Sequence, residues 1–101
     1  MKESELLSAC VTLTSTEFEL YTEGQLTYEA FHYLLSQKIF KMMNDGNPQR
    51  LLQALYRIDV NELKYKEAIS RFMGKDLSDH IATLVIEREM QKVKTRAEYR
   101  K

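Results

Sequence analysis

The sequence contains few of the residues that break or cross-link a chain. Three glycines, one proline and one cysteine occur in 101 residues. A single cysteine excludes an internal disulfide, and an unpaired thiol favours a reducing compartment. No apolar run approaches the roughly 20 residues of a membrane-spanning helix, and the acidic start lacks a secretory signal pattern. We therefore expect a cytoplasmic protein with no membrane partner.

The remaining composition is that of an ordinary globular protein. Apolar residues make up 44% of the chain and charged residues 30%, with 15 basic and 15 acidic side chains. These values exclude a disordered acidic chain and a histone-like polycation. A chain of this length has room for one hydrophobic core, so residues 1–101 are expected to form a single domain.

The glycines and the proline divide the chain into segments of helical length, at Gly24, Gly46, Pro48 and Gly74. Apolar residues recur at intervals of three and four, the period of one helical face, most clearly in Tyr28, Phe31, Leu35, Ile39 and Met42. The pattern predicts helices over about 26–44 and 48–59, a fourth ending at Gly74, and a long C-terminal helix. The predicted fold is an all-α, compact bundle of four to five helices, frayed over about 95–101.

Residue types that cap helices precede the predicted segments. They are Thr27, Asn47, Asn61 and Asp76, each of which can accept a hydrogen bond from a free backbone N–H in the first turn.

The first 23 residues admit two interpretations. Thr14 followed by Glu17 matches a capping box, which predicts a second short helix ending before Gly24. Segments 11–14 and 18–21 also alternate in the manner of a β-hairpin. We favour helix over 8–22 and leave the hairpin open.

Charge is distributed unevenly despite the neutral total. The first 31 residues contain six glutamates and one lysine, whereas six of the last 14 residues are basic. The basic end is a candidate for contacts with nucleic-acid phosphates, through Lys92, Lys94, Arg96 and Arg100. Cations are also favoured at a helix C-terminus by the helix dipole, and the sequence pI of about 6.7 is low for a nucleic-acid module.

No catalytic motif is present, and we predict neither an enzyme nor a cofactor. Glu29 and His32 have the spacing of one half of a di-iron carboxylate site, but the second half is missing. Asp76 and His80 are four residues apart, as in a simple pH-sensitive pair. Cys10 has acidic and apolar neighbours, which disfavour a reactive thiolate. Each of these residues is expected to serve structure rather than chemistry.

Three charged residues, Arg57, Asp59 and Arg88, form a possible polar cluster. A guanidinium–carboxylate contact between them would fix the corner after the third helix. The alternative is a small pocket in which the two arginines bind an anionic ligand.

The segment 55–62, Leu-Tyr-Arg-Ile-Asp-Val-Asn-Glu, resembles a phrase in a group of small all-helical bacterial proteins of uncharacterised activity. The same group carries an apolar helix ending in a basic Arg-x-x-Gln-Lys-x-x-x-Arg pattern, which here spans 88–96. The match covers about the C-terminal half of the chain. It implies an all-helical fold and supplies no functional site.

Two classes of function remain open. In the first, the chain is an interaction or adaptor module that binds another protein, or a second copy of itself as a homo-oligomer, through an apolar groove and the acidic N-terminal region. In the second, it is a nucleic-acid-associated protein that uses the basic C-terminal helix.

Overall fold

Five helices make up the fold, which is known from a computed structural model describing residues 2–24 and 26–99. The helices are α1 (Glu3–Phe18), α2 (Tyr28–Asn44), α3 (Pro48–Ile58), α4 (Glu62–Arg71) and α5 (Gly74–Tyr99). No strand occurs in these two stretches. The predicted all-α fold with a long C-terminal helix is therefore confirmed.

Helix α5 is the centre of the bundle. It packs most extensively on α2 and α1, and less on α4 and α3. Polar contacts join His32 to Thr83 and Ser36 to Ser78, so α2 and α5 run antiparallel. The side chains buried between the helices form one core, whose largest fully buried members are Phe18, Phe31, Leu35, Ile39, Leu55, Ile81 and Ile86.

The N-terminal segment is one continuous helix. The predicted capping box at Thr14 and the alternative hairpin are both wrong, because Thr14 lies inside α1. Its hydroxyl donates to the carbonyl oxygen of Cys10 at 2.8 Å, which satisfies the hydroxyl without ending the helix. Phe18 is buried in the core, and α1 ends where Glu19 adopts a left-handed conformation with φ 54°.

Two of the four predicted caps form side-chain hydrogen bonds. Thr27 accepts from the N–H of Ala30 at 3.1 Å. Asn61 accepts from the backbone N–H groups of Leu63 and Lys64, at 2.9 and 3.3 Å. Asn47 precedes α3 as predicted but makes no side-chain cap. Asp76 is not a cap, because α5 begins two residues earlier, at Gly74.

Asparagines 61 and 47 provide a matched pair for testing these caps. Asn61→Ala is expected to lower the free energy of unfolding by about 1 kcal/mol, because two N–H groups lose their acceptor. Asn47→Ala is expected to have almost no effect, since its side chain caps nothing. Urea denaturation of both variants measures the difference, and equal losses would contradict the capping geometry.

The short helices bury less than the sequence predicts. Helix α4 ends at Arg71 rather than at Gly74, and only Ala68 within it is buried. Four large apolar residues of this part of the chain, which a regular helical spacing would place on buried faces, lie at the surface instead, namely Leu52, Leu63, Ile69 and Met73. Helix α4 is peripheral and packs chiefly on α5, which leaves its other sides exposed.

Candidate protein-binding surfaces

Two of the three residues in the predicted polar cluster meet in the structure. The Arg88 guanidinium donates to the carbonyl oxygen of Asp59 and to its carboxylate, both at 3.1 Å. Its third contact is with Gln91, at 2.9 Å. Asp59 is the residue after α3 and has a left-handed conformation, φ 66°, so Arg88 holds the α3–α4 corner against α5. Arg57 is turned elsewhere and pairs with Glu17 at 3.3 Å.

The Arg88–Asp59 contact lies beside an open groove of about 700 Å³. We call it the α5 groove. Its apolar lining residues are Tyr28, Val60, Leu84, Ile86 and Met90, and its charged ones are Glu3, Asp59, Lys64, Glu87, Arg88 and Lys94. Three acidic and three basic side chains leave the groove without a net charge. A concave surface that offers apolar atoms together with polar groups is a candidate binding site.

The basic residues of the C-terminal helix do not act as one surface. Lys92 is largely covered and donates to the carboxylate of buried Glu89 at 3.3 Å. Lys94 lines the α5 groove, and Arg96 is exposed. Since each helical residue advances by about 100°, Lys94 points away from the side shared by Lys92 and Arg96. Arg100, the fourth predicted phosphate contact, lies outside the described residues.

The acidic N-terminal region is partly neutralised within the chain. Glu17 pairs with Arg57, and Glu19 pairs with Arg50, both from α3. The hydrogen bond and the charge of Arg50 lower the pKa of the Glu19 carboxyl below its ordinary value. Glu17 and Glu19 are therefore already paired within the chain. The other glutamates of the first 31 residues lie nearer the two ends of that stretch.

The two histidines are held by structural contacts. His32 Nε2 is 3.0 Å from both the carbonyl oxygen of Asp79 and the Thr83 hydroxyl. The ring of His80 stacks on Phe72, with centroids 4.8 Å apart. Among the residues the structure describes, no group of three or more His, Cys, Asp or Glu side chains could hold a metal ion.

Ser36 belongs to the same polar contact between α2 and α5, and it does not have the arrangement of a nucleophile. Its hydroxyl donates directly to the Asp79 carboxylate rather than to an imidazole, and the residue is 3% exposed. A hydrolytic triad needs a histidine between the two groups and an accessible oxygen. These side chains instead join the two helices that pack most extensively.

Cys10 is a buried core residue. Its sulfur lies 3.9 Å from the Thr14 hydroxyl and 3.9 Å from the carbonyl oxygen of Ile86. Burial raises the pKa of the thiol to about 11, so it is neutral at physiological pH. A neutral thiol without solvent access is a poor nucleophile.

A second concave surface was not predicted from the sequence. It is a cleft of about 270 Å³ between α2 and the start of α5, lined by Tyr33, Ser36, Gln37, Phe40, Lys75 and Ser78. We call it the α2 socket. The sequence contains one indication of this cleft, because Tyr33 and Phe40 are seven residues apart and therefore lie on the same side of α2. These two positions border the apolar face that packs on the core, so their spacing does not distinguish them from core residues. Both rings are partly exposed, at 52% and 39%.

The chain shows no significant match to a protein-family profile, to a curated protein or to a solved structure. The resemblance of segments 55–62 and 81–96 to small bacterial proteins stays a prediction. None of the helices in the described stretches has the length and apolar character required to cross a bilayer.

Proposed function

We propose that this chain is a small cytoplasmic interaction module, without catalysis, that binds another protein through the α5 groove. The observation that carries the proposal is the groove itself, which has apolar residues and balanced charges in one concave surface. A polyanion such as nucleic acid would favour an excess of cations, whereas the groove has equal numbers of each sign. The unpaired, buried thiol of Cys10 supports the cytoplasmic location.

The Arg88–Asp59 contact supports the proposal because it fixes the groove before a partner arrives. One guanidinium binds both the backbone and the carboxylate of the corner residue, at 3.1 Å in each case. Two hydrogen bonds from one planar group restrict orientation more than a single charge contact does. A surface held in this way loses less conformational entropy on binding.

Gln91→Arg tests the groove directly. Gln91 lines it and accepts a hydrogen bond from Arg88, so an arginine there adds a repelling charge and bulk. We expect the affinity of the variant for its protein partner to fall at least tenfold, as it does when a residue at the centre of an interface is substituted.

The matched control is Gln53→Arg, which makes the same change at an exposed position of α3. Tagged full-length proteins are used to recover partners from extracts of the native host, and the partners are compared by quantitative mass spectrometry. The proposal is supported if Gln53→Arg retains the protein partner and Gln91→Arg loses it. Equal retention by both variants would show that the partner binds elsewhere.

A further inference from the structure

The α2 socket has the geometry that one helix offers to a side chain of another. Four of its lining residues, at 33, 36, 37 and 40, occupy positions i, i+3, i+4 and i+7 of α2. In knobs-into-holes packing, four residues with this spacing form the hole that receives one side chain from a facing helix. Tyr33, Gln37 and Phe40 are exposed beside the first turn of α5, with Ser36 buried beneath them, and the four share no residue with the α5 groove.

Small side chains give the socket its depth. Ser36 and Ser78 form its floor, with their hydroxyl oxygens 3.1 Å apart and both residues buried. Their hydrogens are used internally, because Ser36 donates to the Asp79 carboxylate and Ser78 to the carbonyl oxygen of Lys75, at 2.9 Å. The floor therefore offers no free donor to an occupant, which favours an apolar side chain.

The walls of the socket are held in place by local contacts. Gln37 Nε2 donates to the Tyr33 hydroxyl at 2.6 Å, which fixes one aromatic wall. The other wall is Phe40, whose ring is 39% exposed although it lies on a helix that contributes heavily to the core. Aromatic residues of this kind are enriched at the centres of protein interfaces.

The charged side chain that lines the socket is basic. It is Lys75, the only charged lining residue in the described part of the chain, and its Nζ lies 6.0 Å from the centroid of the Tyr33 ring. Helix α2 carries two lysines, at 38 and 41, and one acidic residue, Glu29, which lies in its first turn. Asp79 does not line the socket, and its carboxylate is bonded to Ser36. An occupant with carboxylates beside its apolar side chain fits this distribution.

We infer that the α2 socket receives an apolar side chain from an amphipathic, acidic helix of another protein. The helix lies along the shallow channel between α2 and the first turn of α5, with an apolar residue between Tyr33 and Phe40. A carboxylate of the partner pairs with Lys75. Together with the α5 groove, the socket gives the chain two separate binding surfaces, as an adaptor requires.

The test uses two synthetic peptides of about 20 residues, since shorter isolated helices are marginal in water. Both carry leucines at alternating intervals of three and four, flanked by glutamate in the first peptide and by lysine in the second. Binding to the full chain is followed by two-dimensional NMR of the 15N-labelled protein. We expect saturable shifts at residues of the socket with the glutamate peptide and none with the lysine peptide.

Charge reversal at Lys75 provides the decisive comparison. Lys75→Glu is expected to weaken the glutamate peptide about five- to tenfold and to give measurable binding of the lysine peptide. Lys66→Glu, the same change at an exposed position of α4 that lines neither the socket nor the α5 groove, is expected to leave both peptides unaffected. Phe40→Ala, which removes one wall, is expected to weaken the glutamate peptide about tenfold or more. Circular dichroism confirms that each variant is folded.

Three results would overturn the inference. The first is the absence of saturable shifts at the socket with the glutamate peptide. The second is equal affinity of that peptide for the Lys75→Glu variant. The third is a shift of socket signals with protein concentration alone, which would identify a second copy of this chain as the occupant.

Discussion

Lys92→Met is expected to lower the free energy of unfolding by about 3 kcal/mol. Glu89 is 4% exposed, and the only cation paired with it in the described part of the chain is Lys92, at 3.3 Å. Removing the lysine leaves a buried carboxylate without its partner, and the desolvation of that charge is then uncompensated. Equilibrium urea denaturation gives the free energy, with an unchanged slope confirming that the folded state is retained.

A matched control comes from the exposed pair Lys66–Glu62, whose atoms are 2.8 Å apart on the surface of α4. Lys66→Met is expected to cost no more than about 0.5 kcal/mol, since solvent screens such pairs. The double variant Glu89→Leu/Lys92→Met is expected to recover most of the lost stability, because it leaves no charge unpaired. Equal losses at Lys92 and Lys66 would contradict the burial of Glu89.

Lys92 is a poor position at which to test whether the basic C-terminal helix binds nucleic acid. A Lys92→Gln change would weaken the fold as well as remove a cation, so loss of binding would have two causes. Arg96 is exposed and makes no ion pair in the described residues, so Arg96→Gln tests phosphate contact without that complication. If Arg96 contacts phosphate, the variant binds nucleic acid more weakly, and its affinity depends less steeply on salt concentration.

Phe31→Ala is expected to cost about 3–5 kcal/mol, whereas Phe40→Ala on the same helix is expected to cost only about 1–2 kcal/mol. Phe31 is completely buried, so its removal loses hydrophobic burial and leaves a cavity in the core. Phe40 is 39% exposed and forms one wall of the α2 socket. The difference between the two stability losses distinguishes the face of α2 that packs in the core from its outer face.

Denaturation of the two phenylalanine variants side by side provides the measurement. A loss at Phe40 as large as that at Phe31 would show that the Phe40 ring is needed for the fold. In that case its exposure would not identify a binding surface.

Periodicity predicted the long helices well because their buried faces are wide and regular. In α2 four of the five residues that define the predicted face, at 31, 35, 39 and 42, are buried, and Tyr28 in the first turn is 41% exposed. The same reasoning failed for Leu63 and Ile69, since α4 packs chiefly on α5 and has no core to face on its other sides. The capping-box prediction at Thr14 failed for a different reason, because a backbone acceptor one turn earlier satisfies the hydroxyl within the helix.

The binding surfaces depend on contacts that a sequence pattern does not contain. Arg57, Asp59 and Arg88 were grouped by their types, yet only Asp59 and Arg88 are joined, because Arg57 faces Glu17 at the end of α1. Lys92 has the appearance of a free cation until the burial of Glu89 is known. The α2 socket requires two serines from different helices to meet, a pairing separated by 42 positions in the chain.

The most direct test of the proposed function is purification of the tagged full chain from its native host, with and without nuclease. Each purification is done at two salt concentrations, roughly 50 and 200 mM, between which phosphate contacts weaken steeply and apolar contacts do not. Mass spectrometry identifies the bound proteins, and absorbance measures nucleic acid. We predict that the same protein partner is recovered under all four conditions. Recovery of nucleic acid, with every bound protein lost after nuclease treatment, would contradict a protein-binding module and favour the basic C-terminal helix as the functional surface.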